Sequence, residues 1–234
     1  MQNILITGAN RGIGLALTKA FLANGDCSIF ATCRNPDGAA QLKELAQKRH
    51  GSVSLLQMDV TDEASISRAA DFVDAEAGGL DLLINNAGIS GDDHARIMGK
   101  LTSTEVSHVI TTNAVSALIV TQACRELLKK GDNPRVVMIS SGLGSLSRAG
   151  GSSYAYRMSK AAMNMAARVL AFDGAMAGIT TVTVAPGWVR TDMGGAAANL
   201  SPEESARSML ALMNSLSASD NGKFYRYDGS ELDW

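Results

Sequence analysis

A glycine-rich turn between a strand and a helix constrains this chain more than any other feature. The apolar residues 4–6 predict a buried strand, residues 15–22 predict a helix, and Thr-Gly-x-x-x-Gly-x-Gly lies between them. Glycines let backbone N–H groups approach an anion, and a helix N-terminus favours negative charge. The stretch therefore predicts a pyrophosphate-binding turn of a dinucleotide site, although a plain strand-to-helix connection with tightly packed glycines is the alternative. The residues that we assign to this turn are Gly8, Asn10, Arg11, Gly12, Ile13 and Gly14.

Strand-like and helix-like runs then alternate to the end of the chain. Strands are predicted at residues 27–33, 53–58, 80–84, 135–139, 179–184 and 223–226, and helices at 39–49, 63–77, 103–130, 154–177 and from 201. This order predicts an α/β fold, a doubly wound (Rossmann) parallel sheet of about seven strands with right-handed crossovers. A length of 234 residues with 46% hydrophobic residues fits one domain over residues 1–234.

Charge and composition exclude several classes of function. The net charge is -2 and the basic residues are mixed with acidic ones, which argues against nucleic-acid binding. The three cysteines and three histidines have no metal-ligand or disulfide spacing, so we expect no metal site. The chain opens on a strand and has no apolar run that could span a bilayer, so we expect a cytoplasmic protein without a membrane partner. The cysteines are Cys27, Cys33 and Cys124, and the histidines are His50, His94 and His108.

The residue after the second predicted strand indicates which dinucleotide binds. An Asp or Glu there would hold the ribose 2′-hydroxyl of NAD, but the chain has Arg34, with Arg11 in the glycine turn. Two guanidinium groups suit a 2′-phosphate, which arginine can bind in a bidentate manner. The sequence therefore favours NADP(H) over NAD(H), unless both arginines simply face water.

Polar residues also follow the third and fourth strands. Asp59, followed by Val60, lies at a strand end where open α/β sheets bind ligands. It could accept hydrogen bonds in a turn or an N-cap, but Thr61 and Asp62 are nearer capping candidates, which leaves Asp59 free to contact the adenine. Asn86, Ala87 and Gly88 either let the backbone pass close to a ligand or form a structural turn. Both interpretations can hold together.

A tyrosine, a lysine and a serine suggest the chemistry. Tyr156 and Lys160 are four residues apart on a predicted helix and so share a face. A neighbouring cation favours the phenolate, so we expect the tyrosine pKa to lie below its ordinary value. Ser141 ends the fifth strand and can donate a hydrogen bond to a carbonyl oxygen. Asn113 lies near the apolar stripe of a long helix, where its amide needs partners.

These motifs together identify the chain as resembling the short-chain dehydrogenase/reductase family. The matching residues are Thr7-Gly8-x-x-x-Gly12-x-Gly14, Asp59-Val60, Asn85-Asn86-Ala87-Gly88, Asn113, Ser141, Tyr156-x-x-x-Lys160 and Pro186-Gly187. Within the family, the stretches around Ser141 and Tyr156 and the ending at Trp234 resemble the sniffer-like carbonyl reductases and the C-signal proteins.

The resemblance implies a role for each of these residues. Tyr156 would be the general acid, Lys160 would hold the nicotinamide ribose and lower the tyrosine pKa, and Ser141 would orient the carbonyl. Ser140 is the rival of Ser141, which we prefer because the family serine is usually second in such a pair. Asn113 would hold a water of a proton relay. The nicotinamide would be lined by Pro186, Gly187, Val189 and Thr191.

The resemblance also implies a substrate and an assembly. The substrate would be a small carbonyl compound or alcohol, and the family's usual homodimer or homotetramer would pack the predicted helices 103–130 and 154–177 across an axis. Only nine residues separate Thr191 from Ser201, fewer than in many relatives, and they are mostly small. We therefore expect an open, loosely selective cleft with Leu143, Trp188 and Met193 as walls.

Two other functions compete with NADP(H)-dependent reduction. A redox-sensing or signalling protein of the C-signal type would bind the cofactor with little turnover, but it would not need a serine, tyrosine and lysine set for proton transfer. An epimerase on the same scaffold would need a sugar-nucleotide site, for which the C-terminal region leaves little room.

Overall fold

A computed structural model describes residues 1–49 and 51–234 as a seven-stranded sheet flanked by helices, and His50 lies outside the described residues. All seven strands are parallel, in the order β3-β2-β1-β4-β5-β6-β7. The doubly wound sheet that the sequence predicts is therefore confirmed. The strands are β1 (Gln2–Ile6), β2 (Cys27–Cys33), β3 (Val53–Gln57), β4 (Leu82–Asn85), β5 (Arg135–Ile139), β6 (Thr180–Ala185) and β7 (Phe224–Arg226).

The helices depart from the sequence prediction in three places. The predicted helix 103–130 is divided by one π-helical turn, Thr111–Val115, and the predicted helix 154–177 ends at Phe172, before a 3₁₀ turn. A short helix also lies between the predicted strand 80–84 and the predicted helix 103–130, where the sequence predicts neither helix nor strand. The α-helices are α1 (Gly12–Asn24), α2 (Ala40–Lys48), α3 (Glu63–Ala77), α4 (Asp93–Arg96), α5 (Ser103–Ile110), α6 (Ser116–Lys130), α7 (Tyr154–Phe172) and α8 (Pro202–Ser215).

The sheet is buried on both faces, which explains why its strands are nearly continuous apolar runs. In β1, Ile4 and Ile6 face the cluster that includes α1 and α8, whereas Leu5 faces the cluster that includes α3, α6 and α7. Cys27 and Cys33 are buried at the two ends of β2.

The strand order places the candidate site. Because β1 lies between β2 and β4, the crossovers leave β1 in opposite directions, and a crevice opens at the carboxyl ends of these strands. Every glycine- or serine-rich turn named above follows a strand and therefore reaches this edge. Within the described part of the chain, no helix is both long and apolar enough to cross a bilayer. The same residues contain no cluster of acidic, histidine and cysteine side chains suited to a metal ion.

Candidate active site

The glycine turn is shaped to admit an anion. Gly8 and Gly12 have φ angles of 65° and 53°, a region that favours glycine. A Cβ atom at Gly14 would clash with the carbonyl oxygen of Gly8 and would lie 2.6 Å from Asn86 Nδ2. Helix α1 begins at this turn, and no side chain of the described residues caps its N-terminus or places an acid in its first turn. Its backbone N–H groups thus suit a pyrophosphate.

The turn contacts the loops that follow β4 and β6. Asn86 Nδ2 donates to the carbonyl oxygens of Thr7 and Gly8, at 2.9 and 3.1 Å. A Cβ atom at Gly8 would lie 3.0 Å from Ala87 Cα, and one at Gly12 would lie 3.2 Å from Thr191 Cγ2. Residues 86–88 therefore form the structural turn that the sequence allows. The same turn also passes beside the candidate cofactor site.

At the outer end of the crevice the two arginines are exposed and Asp59 is half-buried. The Arg11 guanidinium forms an ion pair with the Asp192 carboxylate, a partner that the sequence does not suggest, and Arg34 faces solvent. Asp59 Oδ1 accepts hydrogen bonds from the Thr61 amide and hydroxyl, at 2.9 and 2.7 Å, which lower the pKa of the carboxyl. Asp59 thus has the turn role that the sequence allows, and its second oxygen is available to a ligand.

Tyr156, Lys160 and Ser141 come together between β5 and α7. Lys160 Nζ lies 5.7 Å from the centre of the Tyr156 ring and donates to the carbonyl oxygen of Ile139 at 2.8 Å. Ser141 is half-buried, and its Oγ accepts from the Leu143 amide at 3.1 Å. A Cβ atom at Gly88 would lie 3.7 Å from Lys160 Nζ, so the loop after β4 borders this group as well.

The expected pKa of Tyr156 is wrong in direction. Burial raises the pKa of the Tyr156 phenol above its ordinary value, and a hydrogen bond with Ser141 opposes this only in part. Burial also lowers the pKa of Lys160 to about 8. The ammonium is directed to the carbonyl oxygen of Ile139 and not to the phenol oxygen, which explains why it does not lower the tyrosine pKa.

Asn113 lies in the π-helical turn and is fully buried. Its Nδ2 donates to the Ile89 carbonyl and to Ser159 Oγ, at 2.8 and 2.9 Å, and its Oδ1 accepts from the Ile89 amide at 2.8 Å. The amide therefore links the loop after β4 to α7. A π turn is often found at functional sites, but the sequence pattern did not reveal it.

The two serines at the end of β5 differ sharply in surroundings. Ser140 is buried, and its hydroxyl donates to Asn164 Oδ1 at 2.6 Å, whereas Ser141 lies on the Tyr156 side. This supports the preference for Ser141. Asn164 also donates to the Gly144 carbonyl at 3.2 Å, a role that sequence reasoning missed. A polar amide four residues after Lys160, on the buried face of α7, was the available signal.

Residues 186–200 form a loop with its own hydrogen bonds beside the glycine turn. The buried Pro186 and the exposed Gly187 open it, Val189 pairs with Leu200 in a short bridge, and Thr191 Oγ1 accepts from the Gly194 amide at 3.1 Å.

The proposed substrate walls are exposed apolar side chains. Leu143 is 40% exposed, Trp188 54% and Met193 47%. Asn10, Ile13 and Val60 are half-buried at the same edge.

Comparison with known proteins agrees with this geometry. The family described as short chain dehydrogenase matches residues 2–200. The carbonyl reductase Sniffer of D. melanogaster has a TM-score of 0.95 and 34% identity, with 100% of both chains covered. An NADPH-bound carbonyl reductase from chicken fatty liver has a TM-score of 0.93 and 38% identity, covering 100% of this chain and 99% of that one. C-signal of Myxococcus xanthus is 42% identical over 158 residues, which are 67% of this chain and 94% of that protein.

The chain belongs to the short-chain dehydrogenase family. It is an oxidoreductase with the Rossmann-type sheet of that family, and the resemblance inferred from its motifs is confirmed.

Proposed function

We propose that this protein is an NADP(H)-dependent reductase of small aldehydes and ketones, with Tyr156 as the general acid. The observation that carries the proposal is the juxtaposition of Ser141, Tyr156 and a buried Lys160 beside a glycine turn at the same sheet edge. The two solved carbonyl reductases, one of them holding NADPH, support it.

The cofactor is NADP(H), and the residues at the crevice fit it. The uncapped N-terminus of α1 suits its pyrophosphate, and the guanidinium groups of Arg11 and Arg34 suit a 2′-phosphate. Asp59 would contact the adenine through its second oxygen, and the loop residues Val60 and 86–88 would line the adenosine half. The nicotinamide half would lie against residues 186–191, with Lys160 at its ribose, since one ammonium hydrogen remains after the bonds to the Ile139 carbonyl and, at 4.0 Å, to Met163 Sδ.

The raised pKa of Tyr156 suits reduction. At neutral pH the phenol keeps its proton and can donate it to the oxygen of a carbonyl group as that oxygen gains charge. The Ser141 hydroxyl would orient the same oxygen by donating a hydrogen bond to it. Bound NADPH supplies the hydride, which no side chain can provide. Asn113 would hold a water that returns a proton toward Lys160.

The substrate side of the cleft is apolar and open. Leu143, Trp188 and Met193 present large exposed side chains, and Trp188 Nε1 donates to the Gly194 carbonyl at 2.8 Å, which orients its ring. Between Thr191 and Ser201 the chain is short and contains mostly small residues. We infer a loosely selective site for small apolar carbonyl compounds. A solved complex with a fully enclosed ligand would contradict this inference.

The assembly is proposed to be a homodimer or homotetramer. The π-helical turn and the outer faces of α6 and α7 carry large exposed apolar side chains, which commonly mark an interface. These are Val115, Leu118, Met158, Met165, Val169 and Phe172. A monomeric mass in solution at micromolar concentration would contradict the proposal.

The decisive experiment follows NADPH and NADH oxidation by absorbance with aldehydes, ketones and diones, for the wild type and Tyr156→Phe. We expect turnover with NADPH that falls at least 100-fold in the variant, while NADPH still binds. Cofactor binding without turnover on a broad panel would instead favour the redox-sensing function of the C-signal type.

The cofactor preference has a separate test. Arg34→Ala should raise the Kd for NADPH about tenfold and leave the Kd for NADH unchanged, because only NADPH carries the 2′-phosphate. Equal changes in the two values would show that Arg34 does not contact that phosphate.

A further inference from the structure

The last residues of the chain fold back alongside β7, the strand at one side of the sheet. Leu232 is buried against Phe224 of β7 and Ala185 of β6, and its amide donates to the Phe224 carbonyl at 2.7 Å. Glu231 pairs with Tyr225 in an antiparallel bridge. The segment 231–234 is therefore an added extended piece beside β7, held by backbone hydrogen bonds and by apolar burial.

The ring of Trp234 connects this segment to α7. It stacks on Phe224, with ring centres 5.2 Å apart and an angle of 28° between the planes. The Arg168 guanidinium lies 5.3 Å from the Trp234 ring and 5.0 Å from the Phe172 ring. Arg168 also donates to the Gly222 carbonyl at 2.8 Å. The helix that carries Tyr156 and Lys160 is thus attached to the C-terminal segment through Arg168.

The same segment holds residues 140–149, which we call the catalytic loop. Ser145 Oγ donates to the Asp233 carbonyl at 2.7 Å, and the Ser147 amide donates to the Trp234 carbonyl at 3.1 Å. Because the one hydroxyl proton of Ser145 is used in this way, the Ser147 hydroxyl must be the donor in the 2.8 Å contact between the two serines. Ser145 is only 2% exposed, so its bond to Asp233 is shielded from solvent on the serine side, whereas Ser147 is exposed.

The opposite side of the catalytic loop is held by α7. Asn164 bonds to Ser140 and to the Gly144 carbonyl, and Gly144 is so close to α7 that a Cβ atom there would lie 2.7 Å from the Lys160 carbonyl carbon. Ser141 lies between Ser140 and Gly144, and the next residue after Gly144 is Ser145, which is held by the C-terminal segment. A shift of the loop would therefore move the Ser141 hydroxyl relative to Tyr156.

We propose that Trp234, with the backbone of residues 233–234, is a positioning element for the catalytic loop. This inference rests on the proposed function, since it assigns Ser141 to the chemistry. Trp234 acts through the loop and touches no reacting atom. Its role is to hold the loop against α7, so that Ser141 and Tyr156 face one substrate oxygen.

The test compares Trp234→Ala, Trp234→Phe and the wild type. Phe72→Ala is the matched control, because it removes a partly exposed ring on α3 that packs edge-on against Phe30 of β2. The measurements are kcat and KM for carbonyl reduction, the Kd for NADPH, and hydrogen exchange of the loop amides. We expect Trp234→Ala to lower kcat about tenfold and to speed loop exchange, since misplacement by about 1 Å can cost 100-fold and the Asn164 side remains.

Three further results are expected. The Kd for NADPH stays within about twofold of the wild-type value, Trp234→Phe restores kcat to within about threefold because its ring can still stack, and Phe72→Ala behaves as the wild type. Wild-type kcat and loop exchange in Trp234→Ala would overturn the inference, as would an equal loss in Phe72→Ala.

Two safeguards keep the outcomes separate. If Trp234→Ala does not fold, Ser145→Ala removes the bond to Asp233 without touching the ring and should lower kcat in the same way. A wild type that turns over no carbonyl compound would refute the proposed function, whereas turnover by the wild type with no effect of either substitution would refute only the positioning role.

Discussion

Lys160 should make this protein more stable as the pH rises, and Lys160→Met should remove that effect. Burial lowers the pKa of the ammonium from 10.5 to about 8. The unfolded chain retains an ordinary lysine, so between about pH 8 and 10.5 it binds more protons than the folded protein, and the free energy of unfolding rises with pH. Below this pH window Lys160 is protonated in both the folded and the unfolded chain, and the buried ammonium charge lowers the free energy of unfolding.

The magnitude follows from the shift. A change from 10.5 to about 8 corresponds to about 3 kcal/mol in total, and integrating proton uptake gives about 1.3 kcal/mol between pH 7 and 9. Other groups titrate as well. Burial raises the pKa of Cys124 to about 12, which lowers stability above pH 9. The difference between wild type and variant cancels such contributions.

The assay is urea unfolding at pH 7 and 9 at one protein concentration, for the wild type, Lys160→Met and Lys19→Met, whose lysine is exposed. We expect the rise in unfolding free energy to be about 1.3 kcal/mol smaller in Lys160→Met, and unchanged in Lys19→Met. Loss of the bond to the Ile139 carbonyl shifts the stability of the variant at both pH values equally. Identical pH responses of Lys160→Met and the wild type would refute the reasoning.

Two further substitutions test the cofactor turn and the buried amide. Gly14→Ala should raise the Kd for NADPH at least tenfold by fluorescence titration, because its Cβ meets the Gly8 carbonyl, whereas Gly174→Ala, which meets no atom within 4 Å, should bind normally. Asn113→Asp should lower the free energy of unfolding at pH 7 by about 3 kcal/mol, because a carboxylate oxygen replaces the N–H donor that faces the Ile89 carbonyl. A loss below about 1 kcal/mol in urea unfolding would show that the amide can be replaced.

Much of the fold and of the candidate site could be predicted from local patterns. Strand and helix periodicities repeat over short windows, and parallel strands bring their carboxyl ends to one edge, so the convergence of Gly8, Ser141 and Tyr156 followed from the order of elements. The division of the long predicted helix could not be predicted in this way, because the π turn at Asn113 depends on hydrogen bonds to Ile89 and Ser159, which lie on other elements.

The amino-acid sequence by itself determined the class of fold, the glycine turn and the types of chemical group at the sheet edge, because these depend on residue identity and on spacing within single elements. Only the tertiary structure decided which groups are partners. It paired Arg11 with Asp192, directed Lys160 to a backbone carbonyl, and tied the catalytic loop to Trp234. The tertiary structure also decided the direction of the Tyr156 pKa shift. Desolvation of the phenol and its distance from the Lys160 ammonium outweighed the effect expected from a neighbouring lysine, and neither can be read from sequence spacing.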